Sequence, residues 1–319
     1  MPLLDLALRY YLRQQRLARA AQAAARQLWR DVRFADLDRS WLQVADRMTV
    51  VVSAAQFLAA QEAPAYVAEA MDEQGADATA EAVLAPRSLV GVASDGRPLE
   101  SLLYAPVVEV KQAVRQAPPA RPTRDVAAAA MASGEAALVR VVGTQVQDAG
   151  RAATGVVIAA TPAATKWVRM LNPPSCGRCA ILAGRIYRFS EGFERHENCD
   201  CVHIPISENV KNDLTTNPVK YFDSLSREEQ NLRFGKARTQ RILDGEDLYK
   251  VVNSGRRSTR TAGGKPTVEP KRAAPAKAAP SRSRTARSAR ARRTPEQIAE
   301  SAASRAEAIE QLRRAGFLT

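Results

Sequence analysis

Aromatic side chains are scarce in this sequence. Only 5% of the 319 residues are Phe, Trp or Tyr, although 45% are hydrophobic. The core must therefore be built mainly from Ala, Val and Leu, which favours helices packed through small side chains. A chain of this length is typical of roughly two domains.

Histidine is rarer still, because His196 and His203 are the only two in the chain. A Ser-His or Cys-His nucleophilic mechanism would have to be built around one of them. The sequence also lacks a G-x-S-x-G elbow, a P-loop, a dinucleotide-binding fingerprint and an H-E-x-x-H motif. These absences favour a protein that is not an enzyme and leave catalysis as the alternative.

A membrane or secretion signal is not expected either. Asp5 and Arg9 interrupt the N-terminal apolar residues, so that a signal peptide's continuous apolar segment is missing. The apolar stretch 48–60 is too short to span a bilayer. We therefore expect no membrane partner and a protein that is synthesised in the cytoplasm.

Acidic residues are nearly absent from one segment, 254–293. It holds thirteen Lys or Arg and a single acid, Glu269, which is a charge of +12 within a total of +13. Its only large apolar residue is Val268, so burial cannot offset the entropy of ordering the segment. The composition predicts a disordered basic linker beside a body, 1–253, that is close to neutral.

A linker of this charge suits non-specific contact with nucleic-acid phosphates, because neutralising phosphates releases counterions without reading bases. A solvated tether for the last helix is the alternative. The predicted contacts are Arg256, Arg257, Arg260, Lys271, Arg272, Arg282, Arg284, Arg287, Arg290, Arg292 and Arg293.

Hydrophobic periodicity is helical through the first half of the chain. The predicted helices cover residues 3–34, 100–116 and 125–160, and a further one follows Asp38 or Ser40 as its N-cap and runs through Leu58. Glycine recurs in the helix predicted over 125–160, at Gly134, Gly143, Gly150 and Gly155, which suits close helix packing. The first half is therefore expected to be an α-helical domain, 1–160.

The period changes to two after Pro162. Alternation predicts three short strands, at 166–171, 185–189 and 201–206. A capping box, Ser226 with Glu229, then begins a helix that Gly245 ends. Thr294, Pro295 and Gln297 predict one final helix, which ends at Gly316.

The fold class predicted from these patterns is α+β. It is predominantly α-helical, with a small three-stranded β region that contains Cys and His, a disordered basic linker and a C-terminal helix. The predicted division is 1–160 as the α-helical domain, 161–253 as a domain with the Cys/His motif and its following helices, 254–293 as the linker and 294–319 as the C-terminal helix.

All four cysteines fall in a short stretch beside both histidines. A Cys-x-x-Cys pair, Cys176 and Cys179, precedes Cys199 and Cys201. Two thiolates at this spacing can bind one ion, and alternation along a strand would put Cys199, Cys201 and His203 on one face. The pattern predicts a structural metal site, with zinc as the cofactor. Its ligands are Cys176, Cys179, Cys199 and Cys201, and His196 and His203 are the alternates.

Two other interpretations of the cysteines remain open. The thiols could be reduced and packed in the interior, or they could form one or two disulfides, which synthesis in the cytoplasm disfavours. A catalytic zinc would need an open coordination position and a nearby base, for which the sequence has no motif.

The segment LNPPSCGRCAILAGRIYRFSEGFERHENCDCVHIPIS, Leu171–Ser207, resembles the C-terminal signature of MuF-like phage head morphogenesis proteins. In that family a Cys-x-x-Cys-like segment precedes a Leu-x-Gly turn and a strand, and a His-Pro-x-Cys-x-Cys element follows. Leu182 to Gly184 matches the turn, and Glu197 stands where the family usually has Pro. The following segment, 221–253, is similar to minor capsid proteins of actinobacterial phages.

The resemblance implies a virion protein. It is specific only over residues 171–253. The implied function is that of a minor capsid protein that acts in procapsid assembly or genome delivery near the portal. Its implied partners are portal and capsid or scaffold proteins, and packaged DNA through 254–293. Its implied location is the virion head, after assembly in the host cytoplasm. Cys176, Cys179, His196, Cys199 and Cys201 match the motif, to which the family assigns no catalytic role.

Two alternatives come from other functional classes. A capsid maturation protease is one, because some similar proteins carry that label and the cluster joins thiols with imidazoles. A metal-knuckle nucleic-acid-binding protein without a place in the virion is the other. Specific cleavage of scaffold or capsid protein would favour the first, and absence from virions would favour the second.

Overall fold

A computed structural model describes residues 2–118, 123–172, 175–193, 199, 201–254, 256–260, 266–270 and 291–319, without the side chains of 123, 256–260 and 266–270. The first half of the chain is helical, as predicted. Its helices are α1 (Pro2–Trp29), α2 (Leu37–Gln61), α3 (Ala63–Asp72), α4 (Leu99–Leu103), α5 (Ala105–Arg115) and α6 (Thr123–Ala160).

The long helix α6 is the centre of the fold, and α1, α2, α3 and α5 pack against it. It runs antiparallel to α1, because the Tyr10 hydroxyl lies 2.9 Å from that of Thr154 while Gln22 donates to the Val139 carbonyl. Glycines of α6 face large side chains of α1, with Gly134 against Trp29. The predicted close packing through small residues is confirmed.

Two of the predicted helices differ from the structure. The first ends at Trp29 rather than near residue 34, where a single turn of 3₁₀-helix, Phe34–Asp36, leads into α2. The one predicted over 100–116 divides into α4 and α5 at Tyr104, because Pro106 lacks the N–H needed to continue a helix and instead begins a new one.

By length and composition, α6 from Arg124 to Ala160 is apolar enough to cross a membrane. The sequence analysis considered only the shorter stretch 48–60. Core helices of globular proteins meet the same two criteria. Within the described residues α6 packs against seven other helices, and it carries a buried ion pair, Asp148 with Arg151. The expectation of no membrane partner stays a prediction.

The three predicted strands form one antiparallel sheet, in the order β2-β1-β3. Its strands are β1 (Lys166–Arg169), β2 (Ile186–Arg188) and β3 (His203–Ile206), with α7 (Gly177–Ala183) between β1 and β2. Trp167 on the central strand pairs with Tyr187 and Pro205 on either side. The Tyr66 hydroxyl of α3 donates to the His203 carbonyl at 2.6 Å, which joins this sheet to the helical half.

Short helices follow the sheet. They are α8 (Pro218–Asp223), α9 (Arg227–Phe234), α10 (Lys236–Leu243) and α11 (Leu248–Asn253). The predicted capping box of Ser226 and Glu229 is present at the start of α9. The single helix expected up to Gly245 is nevertheless interrupted at Gly235, whose positive φ of 89° ends α9 and turns the chain into α10.

The predicted linker, 254–293, lies largely outside the described residues. Within it the backbone of β4 (Arg256–Arg260) pairs antiparallel with β5 (Pro266–Pro270). The C-terminal segment is two helices rather than one, α12 (Pro295–Ser301) and α13 (Arg305–Arg314). The predicted capping box of Thr294 and Gln297 starts α12, and Ser304 caps α13 separately.

The C-terminal helices do not extend freely from a tether. The Arg305 guanidinium donates to four carbonyls at and beyond the C-terminus of α6, those of Ile158, Ala159, Thr161 and Ala164. Leu318 then pairs with Leu84 as an isolated antiparallel bridge. The segment is part of the folded body because these hydrogen bonds and the burial of Phe317 and Leu318 hold it there.

The largest group of buried side chains crosses the predicted boundary near residue 160. Tyr10 and Tyr66 from the helical half, Trp167 from the sheet and Leu318 from the C-terminus all belong to it. A second cluster lies within the helices around Trp29, Trp41 and Met48, and a third lies among α7 to α11. Residues on both sides of the boundary therefore share one core.

Candidate metal centre

The four cysteines lie either in the first turn of a helix or in the segment just before a strand. Cys176 is the N-cap of α7, and its Sγ accepts a hydrogen bond from the Cys179 backbone N–H at 3.5 Å. The Cys-x-x-Cys pair is thus the first turn of a helix. Cys199 and Cys201 come just before β3.

Three of the four thiols form a compact group. The Sγ atoms of Cys179, Cys199 and Cys201 all lie within 4.8 Å of one another, and all three side chains are buried. The Sγ atoms of Cys179 and Cys199 are 3.9 Å apart. Two sulfurs on a tetrahedral zinc are separated by about 3.8 Å, given a Zn–S distance of about 2.3 Å. These three cysteines therefore lie close enough together to bind a metal ion.

Cys176 does not belong to that group. Its side chain is only partly buried, and its Sγ is not among the three that lie within 4.8 Å of one another. Its Sγ nevertheless accepts a hydrogen bond from the Cys179 backbone N–H, so it lies beside one member of the group. All four cysteines are free thiols in the structure. The disulfide interpretation is therefore not the one that the structure adopts.

A buried guanidinium supplies positive charge to the cluster. Arg169 on β1 is fully buried, donates from Nη1 to the Cys199 Sγ at 3.4 Å and lies 3.9 Å above the Phe193 ring. Burial alone would lower the pKa of Arg169, but the nearby sulfurs of Cys199, Cys201 and Cys179 raise it. Arg169 therefore stays protonated beside the thiols.

The pKa of Cys199 is lowered well below its usual value. Hydrogen bonds from Cys179 and Cys201 stabilise its thiolate first, and the charges of Arg169 and Arg151 add to them against the cost of burial. Hydrogen bonds that the Cys179 thiol donates to Cys176, Cys199 and Cys201, together with burial, raise the pKa of Cys179.

A buried ion pair on α6 fixes the backbone that carries two of the cysteines. Arg151 donates from Nε to the Cys201 carbonyl at 2.7 Å and from Nη2 to the Cys199 carbonyl. Its Nη1 lies 2.6 Å from the Asp148 carboxylate, with both side chains almost completely buried. Sequence reasoning missed Asp148, Arg151 and Arg169. Two opposite charges at i,i+3 in an Ala- and Val-rich helix were the available signal for the first two.

His203 does not lie at the position that the sequence predicted for it, beside the sulfurs. The His203 ring lies 4.4 Å from the Trp167 ring and 4.5 Å from the Phe193 ring, apart from the compact group of sulfurs. The prediction that Cys199, Cys201 and His203 share a strand face is wrong because β3 begins only at His203. His196, the other predicted alternate ligand, lies outside the described residues.

The burial of these thiols bears on what they can do. Cys199 has the lowered pKa of an activated nucleophile, but only 1% of its surface is exposed. A nucleophile must reach its substrate, whereas a structural metal site is closed. The arrangement therefore suits metal binding or internal packing better than catalysis.

Of the predicted phosphate contacts, Arg292 and Arg293 have described side chains. The Arg292 guanidinium donates to the carbonyls of Ser88 and Ala315 and lies 4.1 Å from the Phe317 ring centroid, so it holds the chain to the body rather than facing nucleic acid. Arg293 is exposed and donates to Ser301. Arg256, Arg257 and Arg260 lie on β4, and the other six contacts lie outside the described residues.

Comparison of the chain with protein-family models, with curated proteins and with solved structures finds no match.

Proposed function

We propose that this chain is a minor capsid protein of the MuF-like type, in which a zinc ion holds the cysteine cluster as a structural site. Three buried, mutually close sulfurs carry the proposal, because they come from the segments whose sequence resembles the family signature. The proposal places the protein in the virion head near the portal, where it acts in procapsid assembly or genome delivery.

In the zinc site, Cys179, Cys199 and Cys201 supply three ligands, and Cys176 supplies the fourth. Zinc contributes a cross-link between the first turn of α7 and the segment before β3. Arg169 offsets the negative charge of several thiolates around one dication, and Arg151 holds the Cys199 and Cys201 carbonyls in place. The residues present therefore fit a thiolate-rich structural site.

The same features disfavour a capsid maturation protease. The acidified thiol of Cys199 is buried, and His203 packs against Trp167 and Phe193 rather than the sulfurs. Incubation with scaffold and major capsid protein tests this point. Specific cleavage that is lost in Cys199→Ala would replace the assembly proposal with the protease.

The zinc site is tested by metal analysis of the purified full-length chain. We expect one zinc per chain and a lower melting temperature after treatment with a strong chelator, because metal binding contributes to the free energy of folding. Cys179→Ser should lose the zinc, whereas Cys176→Ser should keep it with lower affinity. A wild-type chain that carries no zinc and melts unchanged with chelator would leave buried reduced thiols as the interpretation.

The virion assignment needs a separate test. Mass spectrometry of purified virions of the encoding phage should detect the chain in few copies, and co-expression with the portal protein should recover a complex. Genes for the portal upstream and for scaffold or capsid downstream would support the same assignment. A chain that is absent from virions would favour the metal-knuckle nucleic-acid-binding alternative.

A further inference from the structure

Helix α1 carries positive charge that the near-neutral total of residues 1–253 conceals. Between residues 6 and 30 the sequence has six arginines and no acidic residue. Five of these arginines are exposed in the structure, and the sixth, Arg13, is half-buried and paired with Glu62. The exposed ones are Arg9, Arg16, Arg19, Arg26 and Arg30; we call them the arginine stripe.

The stripe is linear. At about 100° per residue Arg9, Arg16, Arg19 and Arg26 fall within a sector of about 100° around the α1 axis, and at 1.5 Å per residue Arg9 and Arg26 are about 26 Å apart. Arg30 follows the last residue of α1. Ala20, Ala23, Gln27 and the exposed Leu12 lie between the arginines and are uncharged. A straight, uniformly charged partner could therefore contact these guanidinium groups along one face.

These arginines are mostly unneutralised. Arg26 approaches Glu135 at 3.5 Å, in a pair that is about half exposed on each side. Among the residues that the structure describes, Arg9, Arg16, Arg19 and Arg30 form no ion pair. The nearest acids in the sequence are Asp5, one turn before Arg9, and Asp31, which pairs with Arg47. The charge of these four arginines is therefore largely available.

The opposite face of α1 determines which polyanion fits. Its apolar side chains, among them Leu6, Tyr10 and Trp29, are buried against α2, α3, α6 and the sheet. An amphipathic helix binds an anionic membrane by inserting its apolar face, and here that face is already occupied. Guanidinium groups instead bind phosphates through paired N–H donors, and a duplex offers phosphates in a regular row.

We propose that the arginine stripe of α1 binds the phosphate backbone of double-stranded nucleic acid, as a second site that is distinct from the basic segment 254–293. The site reads no bases, because its contacts are guanidinium groups along a convex helix face and guanidinium groups bind the backbone phosphates. The helical part of the stripe corresponds to about eight base pairs at 3.4 Å per pair. The inference rests on neither the zinc site nor the virion assignment.

The test is a salt titration of duplex binding by the full-length chain, with a DNA of roughly 30 base pairs that exceeds the stripe's reach. The stripe variant is Arg9→Gln with Arg16→Gln and Arg19→Gln, because Gln keeps helix propensity. We expect about tenfold weaker binding, and a slope of log affinity against log salt that is smaller by about 2.7 for three lost phosphate contacts.

The matched control removes the same charge from α8 to α10, through Lys220→Gln with Arg227→Gln and Lys236→Gln, all of them exposed. The control should keep the wild-type slope. A second background, in which the basic residues of 256–290 are replaced by Gln, separates the two sites. In that background the stripe substitutions should still lower the slope of log affinity against log salt. Equal losses in the stripe and control variants would overturn the proposal. So would an unchanged slope, or binding that goes to anionic vesicles and not to the duplex.

Discussion

Single buried charges determine the geometry around the cysteines. Arg151 reaches from α6 to the carbonyls of Cys199 and Cys201 and pairs with Asp148, and Arg169 lies against Cys199 itself. A buried charge is costly unless it is paired and hydrogen-bonded. These side chains are therefore sensitive to substitution although none of them is a metal ligand.

Removing Arg151 tests this sensitivity. Arg151→Met keeps an apolar stem but removes the buried ion pair with Asp148 and the donor to two carbonyls. We expect the free energy of unfolding to fall by about 3–5 kcal/mol, measured by denaturant titration.

The control is the exposed pair of Arg314 and Glu310. Arg314→Met should change the free energy of unfolding by less than about 0.5 kcal/mol, because exposed ion pairs contribute little. Similar losses in the two variants would contradict the proposed function of Arg151 in fixing the cysteine segment.

At the scale of elements, the helices pack through glycines and end where the backbone requires it. Pro106 and Gly235 each divide a helix that periodicity alone would continue. The glycines of α6 differ in their surroundings. Gly134, Gly143 and Gly150 lie close to side chains of α1, whereas Gly155 has open space around it. The same substitution should therefore have opposite effects along one helix.

Gly134→Ala and Gly155→Ala make this comparison. A Cβ at Gly134 would lie 2.7 Å from Trp29 Cζ2 and closer still to Val110 Cγ2, whereas a Cβ at Gly155 meets no atom within 4 Å. We expect Gly134→Ala to destabilise by about 1–3 kcal/mol through overpacking. Gly155→Ala should stabilise by about 0.5–1 kcal/mol through helix propensity. Thermal unfolding measures both, and a stabilised Gly134→Ala would show that α1 and α6 are less closely packed.

For the whole molecule, the two chain ends are joined through one core. The C-terminal helices return to the body, where Arg305 caps α6 and Phe317 and Leu318 fill the groove beside residues 83–85. Helix C-termini leave carbonyls that need further donors, and Arg305 donates to four carbonyls at this end of α6. These charge-assisted hydrogen bonds contribute to the stability of the C-terminal segment.

Arg305→Met should therefore loosen the C-terminal segment. The variant loses the donors to the carbonyls of Ile158, Ala159, Thr161 and Ala164, and the contact of the guanidinium with Phe189. We expect a fall of about 2–4 kcal/mol in the free energy of unfolding and faster cleavage after residue 293 in limited proteolysis. Wild-type proteolysis rates in Arg305→Met would contradict this function.

Much of the fold was predictable because local rules decide it. Alternation located the three strands, and two capping boxes located the starts of α9 and α12. The approach of Cys179 to Cys199 and Cys201 was also foreseeable from spacing, whereas the placement of His203 on their face, which alternation predicted, is wrong. The strand starts two residues later than alternation indicates, because Cys199 and Cys201 are held by Arg151 rather than by strand pairing.

The sequence by itself determined the helical class, the small sheet, the grouping of cysteines and the concentration of charge in 254–293, since periodicity, spacing and composition are local properties. Only the tertiary structure decided which charges are buried at the cysteines, that the C-terminal helices belong to the body and that the arginines of α1 share one exposed face. Each of these depends on segments far apart in the chain meeting in one core, where burial and hydrogen bonding distinguish side chains that are alike in sequence.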